Sequence, residues 1–246
     1  GGHGSDMHIL LVSHGLPPDS VGGVEQHVSG LATALVEAGH QVEIFARANA
    51  PEQAEGTLAE TETETDNPRI WRVAFRWENC DSLDAMYTCA PMADAMAAFL
   101  AARKADGVTF DVAHVHHLTG MSVDSLTKLR DAAVPTVMTL HDYWLFCPRG
   151  QMFHKREEVC ETAEPGRCAE CLQATFPGWL NEQTRDASVS RVHDRARAVL
   201  DAATRLVVPS ARALPPFVAL GAPKATWRPV RKSYGYREII KNHWLQ

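Results

Sequence analysis

Two glycines stand where a first strand hands over to a first helix. Strand-forming His8 to Ser13 is followed by Pro17-Pro18-Asp19-Ser20-Val21-Gly22-Gly23, and a helical run opens at Val24. Backbone N–H groups at a helix start carry partial positive charge, and without a Cβ an anionic phosphate can approach them closely. Gly22 and Gly23 are therefore candidate phosphate-binding positions. A second set is imidazole and carboxylate: His14, His116, His117, His141 and Asp142 all fall just past apolar, strand-like runs. A third is sulfur. Cys147, Cys160, Cys168 and Cys171 crowd one segment, and Cys168-x2-Cys171 is the spacing that presents two thiolates to one tetrahedral zinc. Four such ligands would make a closed structural site with no position for a reacting water; His154 is a possible substitute ligand. Disulfides and unligated thiols are the alternatives. Cys80 and Cys89 lie apart and read as half-buried thiols.

Strand-like and helix-like runs alternate along the chain, which predicts βαβ units and a Rossmann-like, doubly wound parallel sheet of the α/β class. Val24, Val28, Leu31 and Leu35 recur at helical spacing, with Gly39 as a left-handed cap. Strands are expected at Gln41 to Ala46, Ile70 to Phe75, Phe110 to His116, Thr136 to Leu140 and Arg205 to Val208. Helices are expected at Met92 to Lys104, Ser122 to Ala132 and Asp186 to Ala203. Between Ala48 and Pro68, Glu52, Glu55, Glu60, Glu62, Glu64 and Asp66 sit among Thr, Ala and Gly, too polar to bury, so a long solvated excursion is expected. In an open parallel sheet ligands bind beyond the carboxyl ends of the strands. Three strands deliver His14, His116–His117 and His141–Asp142 to that edge, and this predicts one shared cleft.

The chain has 246 residues, 45% of them apolar and 22% charged, the composition of an ordinary globular protein. Its formal charge of -6 and lack of a polybasic run argue against nucleic acid as a partner. No stretch approaches the roughly 18 apolar residues of a transmembrane segment. The expected location is the cytoplasm, with the inner membrane face as a peripheral site. Residues 1–6 read as an appended leader outside the fold.

Taken together, the paired glycines after strand one, Ala38-Gly39-His40-Gln41-Val42, the Asp111 to His117 strand, Thr139-Leu140-His141-Asp142-Tyr143-Trp144 and Val208-Pro209-Ser210 resemble the amino-terminal domain of glycosyltransferase family 4, the retaining GT-B enzymes. The likeness covers residues 7–223, with a cysteine-rich insert at 147–171. It implies one half of a two-domain GT-B architecture that binds the acceptor, while a second domain binds most of a nucleotide-sugar donor. By that resemblance Gly22 and Gly23 bring amides to the donor phosphates, and His141 contacts the donor sugar at the reacting centre. His14, His116, His117, Asp142 and Arg149 line the acceptor side. The implied reaction is hexosyl transfer with retention to a glycan, lipid or small-molecule acceptor. The resemblance implies that the departing diphosphate helps to deprotonate the acceptor, so no protein nucleophile is needed; neither a catalytic metal nor a nicotinamide cofactor is expected.

The resemblance also implies a carboxy-terminal domain of roughly 150 to 200 residues with a basic pair and a Glu-x7-Glu motif. Glu52 and Glu60 match that spacing by chance, in the acidic loop. The expectation is a truncated transferase whose donor domain is missing or separately encoded; the alternative is a non-catalytic acceptor-binding or regulatory module, or one subunit of a split enzyme. Residues 224–246 form a basic, aromatic tail with a possible helix from Arg237 to Leu245. A dinucleotide-dependent enzyme is disfavoured, because the first turn lacks GxGxxG and strand two ends in Ala46-Arg47 without an acid for ribose. Arg149 would grip an acceptor phosphate or carboxylate, or brace the cysteine loop; Tyr143 and Trp144 would stack on an acceptor or pack in the core.

Overall fold

A computed structural model describes residues 6–155, 158–222 and 227–229. Its frame is one eight-stranded sheet. The strands are β1 (His8–Ser13), β2 (Gln41–Asn49), β3 (Leu58–Thr61), β4 (Arg69–Phe75), β5 (Val112–Val115), β6 (Thr136–Thr139), β9 (Arg205–Val208) and β10 (Trp227–Pro229); a separate hairpin pairs β7 (Phe153–His154) with β8 (Glu158–Val159). The order is β10-β9-β6-β5-β1-β2-β4-β3, and every pair in this sheet is parallel except β3 with β4. Because the chain winds one way from β1 to β2 and β4, and the other way through β5 and β6, the switch point falls between β1 and β5. The expected Rossmann-like fold is the one observed.

Each face of the sheet has its own core. Ile9, Leu11 and Val112 meet Val28, Leu31 and Leu35 of helix α1 (Gly23–Glu37), whose predicted stripe is therefore the buried one. Leu10, Val12, Ala113 and Val115 point to the opposite face. That face is covered by α3 (Ala90–Ala105), α4 (Asp124–Asp131) and α6 (Arg185–Ala202), with the short α2 (Leu83–Tyr87) beside them. Gly39 ends α1 at φ 96°, with His40 N–H donating to Leu35 O at 3.1 Å, the left-handed closure expected of glycine there.

Three elements depart from expectation. Residues Leu58–Thr61 inside the acidic excursion form the antiparallel edge strand β3, held by Glu60 against both Arg69 nitrogens at 2.6 and 2.8 Å. Trp227–Pro229, inside the tail that the sequence could not place, extends the opposite edge by pairing with β9; the proposed helix at Arg237 to Leu245 lies outside the described residues. The cysteine-rich insert forms the β7–β8 hairpin and helix α5 (Pro165–Thr175), followed by α6 and, near the end, α7 (Leu214–Ala219). Leu83–Ala105 is apolar enough by composition to cross a membrane. It is split into α2 and α3 by Thr88 and Cys89 in extended conformation, and Met92, Met96 and Phe99 are buried in the core.

Candidate active site

The parallel register explains why the histidines meet. Val12 lies beside Val115, and Val115 beside Met138, so residues just past these three strands project at one edge. Period-two alternation then sorts them by face. Residues 112, 114 and 116 alternate with 113, 115 and 117, and the same holds for 137, 139 and 141 against 138, 140 and 142.

On the α1 face, His116 Nδ1 lies 3.1 Å from His141 Nε2. His27, one turn into α1, completes the group, its ring centroid 5.0 Å from that of His141 and 5.3 Å from that of His116. His114 stacks beneath them at 3.9 Å from His116 and contacts Thr139 Oγ1 at 2.7 Å. On the other side, His14 packs 4.4 Å from His117, whose Nε2 is 3.2 Å from Asp142 Oδ2. His14 in turn lies 3.5 Å from the buried carboxylate of Glu25.

Electrostatics keep three of these imidazoles, His14, His116 and His141, neutral. Burial, together with the like-charging neighbours His27 and His117, pulls His141 down to about 3. Burial and His117 bring His14 to about 4, and burial holds His116 well below the ordinary histidine range. The two carboxylates are lowered as well, which keeps them ionised. Burial would raise Asp142, but the hydrogen bond and charge of His117 outweigh it, leaving Asp142 lowered. Burial would likewise raise Glu25, yet Ser20 Oγ donating at 2.5 Å, its own N–H, His14 and Arg47 keep it below the usual range. Arg47, at the end of β2, is lowered to about 10 by burial and therefore stays cationic at neutral pH; it donates to Thr119 O at 3.0 Å. Neutral imidazoles accept from and donate to hydroxyl groups. The positive groups at this edge are Arg47 and the start of α1, whose first turn also holds the Glu25 carboxylate, hydrogen-bonded to its own N–H.

The two glycines do different things. Gly22 is the N-cap in extended conformation (φ -153°), and a Cβ there would fall 2.6 Å from Glu25 Oε2. Its smallness therefore makes room for the Glu25 carboxylate. A Cβ on Gly23 would meet nothing within 4 Å, so that position faces open space.

His14, His116, His117, His141 and Asp142 are thus gathered at one edge, next to the Gly22–Gly23 turn. Arg149 is not with them. It turns to the cysteine pocket, where Nη1 donates to Phe153 O at 2.8 Å, so the bracing alternative describes its position. Tyr143 and Trp144 pack in the interior: Trp144 stacks on Tyr87 at 4.4 Å and Tyr143 on Phe217 at 5.7 Å. Sequence reasoning gave no site role to His27, Glu25 or Arg47, placing Glu25 only at the positive end of the α1 dipole. Their signal was position, a histidine and an acid in the first turns after the glycine pair and a cation at the end of the strand beside β1.

Among the described residues, His27, His116 and His141 form a group whose potential ligand atoms lie within 4.8 Å of one another. Cys147, Cys160, Cys168 and Cys171 are free thiols that line one pocket, their sulfurs spread more widely around it.

The sequence profile of Glycosyltransferase Family 4 matches residues 21–227. No curated protein matches the chain. Among solved structures, the catalytic domain of starch synthase IV from Arabidopsis thaliana, bound to ADP and acarbose, superposes with a TM-score of 0.50 at 13% identity, over 92% of this chain and 51% of its own. The α,α-trehalose-phosphate synthase (UDP-forming) from Burkholderia xenovorans, in complex with glucose-6-phosphate, gives 0.47 at 14% identity over 86% and 43%. At 13% identity the likeness to the starch synthase is one of fold, and this chain spans about half the length of these structures. With the profile matched over most of its length, the chain belongs to glycosyltransferase family 4 and forms one Rossmann-like half of a GT-B architecture.

Proposed function

We propose that this chain is the acceptor-side half of a nucleotide-sugar-dependent glycosyltransferase that moves a hexose, with retention, onto a glycan, lipid or small-molecule hydroxyl. One observation carries the reading. His27, four residues after Gly23 in α1, brings its ring centroid to 5.0 Å from that of His141, which supports reading the start of α1 and His141 as parts of one cleft. In this reading the amides and Arg47 receive the donor diphosphate, and His141, neutral, contacts the donor sugar at the reacting carbon. His14 and His117 hold acceptor hydroxyls. No side chain attacks the sugar; catalysis is positioning and stabilisation of the leaving diphosphate.

The test is transfer from UDP- and ADP-hexoses by the chain joined to, or mixed with, its donor domain, comparing His141→Ala with the unaltered sequence. Loss of transfer on an unchanged fold is expected, and a product of retained anomeric configuration by NMR. Undiminished transfer in the variant would remove His141 from the reaction. No transfer with any donor domain, alongside saturable acceptor binding, would favour a non-catalytic acceptor-binding module.

A further inference from the structure

The cysteine-rich insert is not used by the cleft, yet its chemistry is the most concentrated outside it. We propose that Cys147, Cys160, Cys168 and Cys171 bind one zinc ion, which fastens the insert against the loop carrying His141 and Asp142.

The four thiols arrive from separate local elements and line the same pocket. Cys147 ends the turn after Asp142, its N–H donating to Tyr143 O at 2.8 Å. Cys160 follows β8, its N–H donating to Met152 O at 2.8 Å. Cys168 and Cys171 stand three apart on α5, hence on one helical face. The Cys171 sulfur is already an acceptor, taking the Lys155 N–H at 3.4 Å and lying 3.6 Å from Arg149 Nη1. Such N–H donors and a guanidinium suit a sulfur that carries negative charge in a four-thiolate site.

Zinc is the dication that best matches four sulfurs in tetrahedral geometry at about 2.3 Å. On binding, four Zn–S bonds form, each thiol proton leaves to solvent, and no group changes oxidation state. The sulfurs must draw inward to do so. The insert is built to yield, because its regular structure apart from α5 is a hairpin of two-residue strands.

The consequence reaches the cleft. Tyr143 N–H donates to Gly150 O at 3.2 Å, and a Cβ at Gly150 would lie 3.7 Å from the Asp142 carboxylate. A metal that fixes Cys147 and the turn at Gly150 would therefore also fix residues 141–143.

The test needs no glycosyl transfer, so its failure is separable from failure of the transferase reading. The full chain, purified under reducing conditions and offered zinc, is expected to hold about one zinc per chain by mass spectrometry of metals. Zinc should protect four of the six cysteines from a thiol reagent. Cobalt(II) in its place should give the intense thiolate charge-transfer and tetrahedral ligand-field bands of a sulfur site, a readout on the unaltered chain. Cys168→Ser with Cys171→Ser should lose the metal, whereas His27→Ala and His116→Ala should keep it. A substoichiometric content, six reactive thiols in excess zinc, iron in place of zinc, or metal lost from the histidine variants and kept in the cysteine variant would each overturn the proposal.

Discussion

His116 Nδ1 and His141 Nε2 are 3.1 Å apart, so one ring donates and the other accepts, which excludes both being protonated at once and sets their tautomers together. His116 is fully buried and His141 is held at about 3, so neither takes a proton until well into acid. An unfolded chain has ordinary histidines near pH 6.5 and binds more protons there, so stability falls as pH drops below about 6.5. His14, held at about 4, adds to the same slope. The imidazole NMR signals of His14, His116 and His141 are expected to stay fixed from pH 8 to 5 while the urea midpoint declines. A titration midpoint near 6.5 for His141 would mean that the ring is solvated and the pair is not formed.

Gly22 and Gly23 are neighbours with opposite demands, and alanine separates them. Gly22→Ala places a Cβ 2.6 Å from Glu25 Oε2, so the carboxylate must leave Ser20 and His14. That loss should cost about 1–3 kcal/mol, read as a lower melting temperature. Gly23→Ala meets nothing, and replacing glycine in a helix start is neutral or stabilising by up to about 1 kcal/mol. Its expected effect is confined to nucleotide-sugar affinity, measured by calorimetry on the two-domain protein. A Gly23→Ala chain of unchanged affinity would move the diphosphate away from that amide.

Much of this frame was legible from period alone. The α1 stripe, its Gly39 cap and the strands that deliver His14, His116 and His141 follow from local spacing, because each element buries one face against the same sheet. The edge strand β3 was hidden because its exposed Glu60 reads as solvated loop until Arg69 is placed opposite it. His27 was missed for a related reason: nothing local says that the first turns of α1 lean over the end of β6. Arg149 was left by the sequence between the cleft and the cysteine loop, and its Nη1 donates to Phe153 O in the cysteine pocket. Its proximity in sequence to Asp142 suggested the cleft, but the turn through Gly150 at φ 73° sends the chain toward the cysteine pocket.

Glu43 and Arg103 form an ion pair far from the cleft, and it should dominate the lower acid limb. Arg103 Nη2 donates to Glu43 Oε1 at 2.7 Å, with side-chain exposures of 6% and 1%. Burial alone would raise Glu43, but hydrogen bonds from His8, Arg103 and Trp71 bring it to about 2. A depressed carboxylate stabilises above its unfolded value near 4.5 and loses that contribution as pH falls toward 2. Arg103→Met leaves a buried charge uncompensated and should cost about 3–5 kcal/mol at pH 7. Denaturant melts should show this penalty shrinking below pH 4.5; a constant penalty would assign the loss to packing.

Tyr87 connects the helical layer to the loop that carries His141. Its ring is stacked on Trp144 at 4.4 Å, and its hydroxyl donates to Trp144 O at 2.5 Å in a fully buried setting. Tyr87→Phe keeps the stack but leaves that carbonyl without its donor, a cost of about 1–3 kcal/mol. Because Trp144 N–H also donates to Asp142 Oδ1 at 2.8 Å, the loosened residue is directly tied to the carboxylate that holds His117. Hydrogen exchange is expected to rise at residues 141–146 and not in β1. Protection unchanged in that loop would show that Asp142 and the turn hold it without help from Tyr87.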